Sequence, residues 1–222
     1  MGEMGLRERK RQHTRQALIN AAMGLFKQNG YQQTTVAEIA AAAGVSTKTF
    51  FNYFASKDEV LFPYLSARID AAAALIGQQG SDEAMADVLT RAMEHMLADA
   101  LTTEVDGGLA AVRLPMLMSE PAVQAATLHR YFLAETQLAE ALHRAYPDVL
   151  DPPAAAAAIG SVMGAALAAA LVCLQRGDTT EQLQAAARDA TRIATEGVRN
   201  IGRNESGRGR TQRRRPRRSA TK

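Results

Sequence analysis

Thr34–Val60, TTVAEIAAAAGVSTKTFFNYFASKDEV, is the stretch on which the reading of this chain turns. Thr35-Val-Ala-Glu38 has the spacing of a capping box, in which a threonine hydroxyl and a glutamate three residues on satisfy each other's backbone N–H groups. It opens a helix that runs to about Ala43, where Gly44 stops it. Ser46 caps a short helix reaching about Tyr53, and Ser56-Lys-Asp-Glu59 is a second capping box ahead of a longer helix to about Ile76. Two short helices joined by a glycine-containing turn make a helix-turn-helix. Such a pair must brace itself with apolar inner faces: Val36, Ile39 and Ala40 from the first helix, Val45, Phe50 and Phe54 from the turn and the second. Thr47, Lys48, Thr49, Phe51, Asn52 and Tyr53 are left for the outer side and its edges. Asn suits adenine, Lys suits guanine, and threonine methyls can touch thymine in the major groove. Thr35 and Lys57 stand where hydroxyls, helix N-termini and cations meet phosphates. The same pattern also fits two packed helices of any α protein.

Outward from this stretch the chain remains helical. Ala17, Leu18, Ala21, Ala22, Leu25 and Phe26 recur at steps of three and four, one apolar stripe on a helix from about Leu6 to Gln28. Gly77–Gly80 is a loop and Ser81-Asp-Glu opens a fifth helix, while Gly107-Gly108, Pro115 and Pro121 cut the middle into short pieces. A helix then runs from about Pro121 to Ala145. Asp151-Pro152-Pro153 starts the next, Arg176-Gly177 closes it, and Thr179-x-x-Gln182 caps the last, which ends near Gly202. Alanine is abundant and strand-favouring runs are missing, so the expected class is all-α with about nine helices. Residues 1–60 carry eight Lys/Arg against five Asp/Glu, residues 61–201 nine against seventeen, and residues 202–222 nine against one. A basic head, an acidic middle and a basic tail direct nucleic acid to the ends. The tail from Arg203 has almost nothing to bury and is expected to be disordered; its arginines are either a solvated charge run or an arm that neutralises phosphates.

TRQALINAAMGLFKQNGY (14–31), TTVAEIAAAAGV (34–45), S-x-x-T-F-F-x-Y-F (46–54) and SKDEV (56–60) together resemble the DNA-binding domain of TetR-family regulators. The resemblance implies a three-helix DNA-binding domain over residues 1–55, a helical ligand-binding and dimerisation domain over 56–202, and a basic tail over 203–222. It implies base contacts from Thr47, Lys48 and Asn52 and phosphate contacts from Thr35, Tyr53 and Lys57, with Ser46 and Thr49 completing the DNA-facing set. It further implies repression of a palindromic operator by a homodimer, relieved when a small-molecule effector binds. Two positions depart from the commonest pattern: Phe51 stands where a tyrosine is frequent, and Lys48 where a small residue is frequent. GLRERKR (5–11) and TFFNYF (49–54) are similar to family members whose ligands include acyl-CoA-like molecules.

Ala154–Leu174 is uncharged and contains Gly160-x-x-x-Gly164, a pattern that also suits a membrane span. Alanine supplies little insertion energy and no basic cluster flanks the run, which favours a buried helix of an all-α dimer over a membrane helix. Gly160, Gly164 and Ala168 would let a partner approach closely, so the last two long helices are the expected dimer interface. Met93, Met96, Met116 and Met163 are either plain core packing or the lining of a pliable apolar ligand pocket, which methionine suits because it repacks easily. Arg113, set in an apolar run, is either paired with a carboxylate or the counter-charge of an acidic ligand. The scattered histidines and the lone Cys173 supply no metal site, and no cofactor is expected. Neither a P-loop, a dinucleotide fingerprint, G-x-S-x-G nor His-Glu-x-x-His occurs, which argues against an enzyme. With no secretory pattern at the N-terminus, the expected compartment is the cytoplasm.

Overall fold

The computed structural model describes residues 5–78, 83–100, 103 and 108–198. Among these residues the regular structure is helical, in ten α-helices: α1 (Leu6–Asn29), α2 (Val36–Ala42), α3 (Thr47–Phe51), α4 (Lys57–Leu61), α5 (Leu65–Gly77), α6 (Met85–Ala100), α7 (Leu109–Ser119), α8 (Pro121–Ala145), α9 (Pro152–Arg176) and α10 (Thr180–Val198). The all-α expectation holds. The basic tail from Arg203 lies outside the described residues.

The caps form where the sequence places them. Thr35 Oγ1 accepts the Glu38 N–H at 3.2 Å while the Glu38 carboxylate accepts the Thr35 N–H at 2.7 Å. Ser46 Oγ accepts the Thr49 N–H at 3.1 Å, and Asp151 the Ala154 N–H at 2.8 Å. At α4, Ser56 Oγ accepts from Glu59, but the Glu59 carboxylate reaches back to the N–H of Ala55, one residue earlier than the box predicts. Two boundaries differ from expectation. The helix expected from Ser56 to Ile76 is split into α4 and α5, because Pro63 lacks an N–H and disfavours helical geometry at Phe62, whose φ is −124° and ψ 53°. Conversely, α7 continues through Pro115. Leu109, Ala110 and Met116, buried on both sides of the proline, offset its missing hydrogen bond.

The described residues group into two compact units, one of residues up to 71 with 96–134, the other of 72–95 with those from 135 onward. The first has a core of Leu18, Ile19, Phe26, Ile39, Phe50, Phe54 and Leu61, joined by Leu109, Met116 and Val123. In the second, α9 packs against α10. Thr191 and Thr195, buried on α10, donate to the carbonyls of Ala187 and Arg192, so neither hydroxyl is stranded in the apolar seam.

Helix α9 is long and apolar enough to cross a membrane by length and composition, and 22% of its most apolar window is buried within the chain. Within a single chain the buried-helix reading is met only in part, since most of that window is half-buried or exposed. A Cβ on Gly160 would stand 2.7 Å from Glu135 Oε1. That glycine makes room for a side chain of α8 in the same chain.

Candidate nucleic-acid interface

The turn between α2 and α3 is a Schellman motif. The Val45 N–H donates to the Ala40 carbonyl at 2.9 Å and the Gly44 N–H to that of Ala41 at 3.0 Å. Gly44 adopts φ +69°, a left-handed conformation that a side chain would strain. Val45 then packs against the core, and α3 starts at once under the Ser46 cap.

Phe50 and Phe54 anchor α3 from beneath, 0% and 1% exposed, with ring centroids 5.6 Å apart. Arg15 of α1 lies over the Phe54 ring at 5.2 Å and over Tyr64 at 5.4 Å, and also donates to the Pro63 carbonyl. With its underside fixed, α3 turns Thr47, Lys48, Phe51 and Asn52 to solvent, while Thr49 and Tyr53 are partly covered. Three polar side chains of different hydrogen-bonding character thus stand on one exposed, braced surface. That arrangement can read base edges in a major groove.

The flanking residues divide. The Ser46 and Thr49 hydroxyls lie 2.9 Å apart, and the Thr35 hydroxyl donates to Glu38 at 2.9 Å, so all three are partly engaged in capping yet exposed or nearly so. The Thr35 N–H, and then its hydroxyl, hold the Glu38 carboxyl below the usual range. Lys57 is turned inward: its ammonium donates to the carbonyls of Tyr31 (2.9 Å) and Thr34 (3.0 Å) and sits 4.1 Å from the Tyr31 ring centroid. It clips the loop before α2 to the start of α4. The Tyr31 hydroxyl donates to Asp58, and burial followed by that carboxylate raises its pKa.

Arg7, Lys10, Arg11 and Thr14 line a groove with Thr49, Asn52 and Tyr53, Gly5 and Glu8 completing it. Motif reading missed these α1 residues. The signal was present, because they occupy i, i+3, i+4 and i+7 and continue backward the stripe that becomes apolar at Leu18.

Of the expected ligand residues, Arg113 and Met116 lie one turn apart on α7 in the first unit, with Met96 at the end of α6. Met93 and Met163 belong to the second unit. Arg113 donates to the Leu61 carbonyl at 3.4 Å, and its guanidinium and that of Arg130 lie 5.2 and 5.3 Å from the Phe62 ring centroid. Burial, and then the charge of Arg68, push the Arg113 pKa down to about 10, which leaves it a cation at neutral pH. Arg68 bonds Asp99 at 2.8 Å and Thr103 at 3.0 Å. A separate cavity of about 350 Å³ between α8 and α9 is edged by Glu135, Glu140 and His143. Its two carboxylates make it a poor seat for an anion. No group of His, Cys, Asp and Glu among the described residues is arranged to hold a metal.

Residues 18–62 match the model of bacterial regulatory proteins of the tetR family. The chain is 36% identical over 138 residues to the HTH-type transcriptional regulator TcmR of Streptomyces glaucescens, covering 61% of each protein. It is 43% identical over 56 residues to the HTH-type transcriptional regulator HbdR of Aromatoleum sp. (strain CIB), a match spanning 25% of this chain and 24% of that one. The chain thus spans less than two thirds of either relative. Among solved structures, the fatty acid degradation regulator FadR from Bacillus halodurans has a TM-score of 0.53 at 18% identity, over 89% of this chain and 99% of that one. The FadR of Bacillus subtilis in complex with stearoyl-CoA has a TM-score of 0.50 at 19% identity, over 82% and 98%. Both likenesses show a shared fold.

Proposed function

We propose that the chain is a transcriptional repressor of the tetR family of bacterial regulatory proteins, not an enzyme; the match of residues 18–62 to that family and the likeness to TcmR support this reading. It binds a palindromic operator as a homodimer in the cytoplasm and leaves it when a small-molecule ligand, either apolar or acyl-CoA-like, is bound, with acyl-CoA esters the first class to try. The observation that carries this reading is α3 itself, anchored by Phe50 and Phe54 and offering Thr47, Lys48 and Asn52 outward. On this reading residues 1–55 hold the DNA-binding domain, 56–202 the ligand-binding and dimerisation domain, and 203–222 a basic tail. Thr35, Ser46, Thr49 and Tyr53 meet phosphates at the rim of the groove, whereas Lys57 shapes the rim from inside.

The apolar length of α9, with Val172 53% and Ile193 of α10 65% exposed, supports a dimer through the last two helices. Two recognition helices related by a two-fold axis then meet half-sites about one helical turn, roughly 34–36 Å, apart. Leu61, the last residue of α4, and Phe62–Tyr64, which link α4 to α5, supply a route for release. Arg15 of α1 holds Pro63 and Tyr64, while Arg113 of α7 and Arg130 of α8 hold Leu61 and Phe62. A ligand that moves α7 or α8 pulls on the segment from which the DNA-binding helices are braced. The stearoyl-CoA held by the Bacillus subtilis neighbour favours trying that ligand class first.

Selection of bound duplexes from a random library tests the DNA reading, and titration of the recovered complex with a panel of acyl-CoA esters tests the ligand. A palindrome released by one panel member is the expected result. Binding without enrichment leaves a nonspecific polyelectrolyte binder instead.

A further inference from the structure

The first turns of α1 expose Arg7, Lys10 and Arg11, and among the described residues no carboxylate forms an ion pair with them. They face Thr49, Asn52 and Tyr53 across one groove, in which Glu8 is the acidic member. Three cations against one anion, continuous with the outer side of α3, make a surface complementary to a polyanion. Arg7 lies eleven residues before Leu18, the first buried residue of α1, so at about 1.5 Å per residue the basic stripe extends roughly 16 Å beyond the core. A stripe of that length without apolar cover gains little from the fold, and its exposed cations suit contact with a phosphate backbone.

We infer that Arg7, Lys10 and Arg11 form a second nucleic-acid surface, which takes the backbone phosphates of duplex DNA beside the half-site read by α3. The inference rests on the DNA-binding reading above and adds to it a contact without sequence information. Each cation seated on a phosphate contributes about −0.9 to the slope of log affinity against log salt. The full-length R7Q/K10Q/R11Q variant is therefore expected to bind with a slope less negative by about 2.7 per protomer. A fourfold rise in salt then costs the wild type about 40-fold more affinity per protomer than the variant. The loss falls equally on the selected operator and on a scrambled duplex, and the bases preferred in selection do not change. The single variant K10Q moves the slope by about 0.9. Anisotropy titrations of fluorescent duplexes from 50 to 200 mM salt, with thermal unfolding to check that the fold is kept, make the measurement. An unchanged slope in both variants, or a loss confined to the operator with altered base preference, overturns the inference while leaving operator binding intact. Failure of the wild type to bind any duplex overturns both readings together.

Discussion

Replacing Lys57 by methionine separates two roles that a sequence alone assigns interchangeably. The side chain keeps its length and loses its charge, and with it the hydrogen bonds to the Tyr31 and Thr34 carbonyls and the attraction to the Tyr31 ring. A hydrogen bond to a charged group contributes about 1.5–3 kcal/mol when buried, and a cation–π contact about 0.5–1 kcal/mol at an exposed site. Lys57 is only partly covered, so water replaces part of each contact, and about 2 kcal/mol is the expected loss. For a chain of this size that lowers the midpoint of thermal unfolding by about 4–8 °C. The assay is urea and thermal unfolding at fixed protein concentration, because a dimer's stability depends on it, with the salt dependence of DNA binding measured alongside. Unchanged unfolding with a salt slope reduced by about 0.9 would refute the clip and restore Lys57 to the phosphates.

Phe50→Ala empties a fully buried position under α3 and is expected to cost about 3–5 kcal/mol, read as a lower urea midpoint, with DNA binding lost in parallel. Ile193→Glu places a charge on the exposed apolar face of α10 and is expected to convert a dimer to monomers in sedimentation; an unshifted dimer excludes that face as the interface. The Glu38 carboxyl is held below its ordinary value in the folded chain, so its contribution is complete above about pH 4.3 and is lost as pH falls through the depressed folded value. The stability difference between the wild type and Glu38→Gln should therefore shrink on acidification, and a difference that grows instead means the capping box is not its source.

The local rules were legible where a short stretch of chain decides the outcome. Thr35 with Glu38, Ser46 and Gly44 set the ends of α2 and α3 from hydrogen bonds within six residues, and Ile39, Phe50 and Phe54 fell inward by spacing alone. The break at Pro63 was hidden in an otherwise periodic run, although the proline itself was the signal. Lys57 could not be placed from its neighbours, because the carbonyls it reaches are on residues 26 and 23 positions away and come near only through the tertiary fold. Gly160 was read for a partner helix on its small size; that it also leaves room for Glu135, 25 residues distant on α8, was not legible from its neighbours. Arg7, Lys10 and Arg11 failed differently: their stripe was readable, but a charge run on an N-terminal helix looks the same solvated or beside α3.

The central claim, that α3 reads DNA bases, is tested most directly by comparing the duplexes selected by the wild type with those selected by Lys48→Ala and Asn52→Ala. The predicted result is a shared palindrome in which each variant relaxes preference at one or two positions of both half-sites, at about 1–3 kcal/mol of discrimination per lost contact. Identical preferences in all three proteins would contradict base reading by α3 and move the specificity to another element.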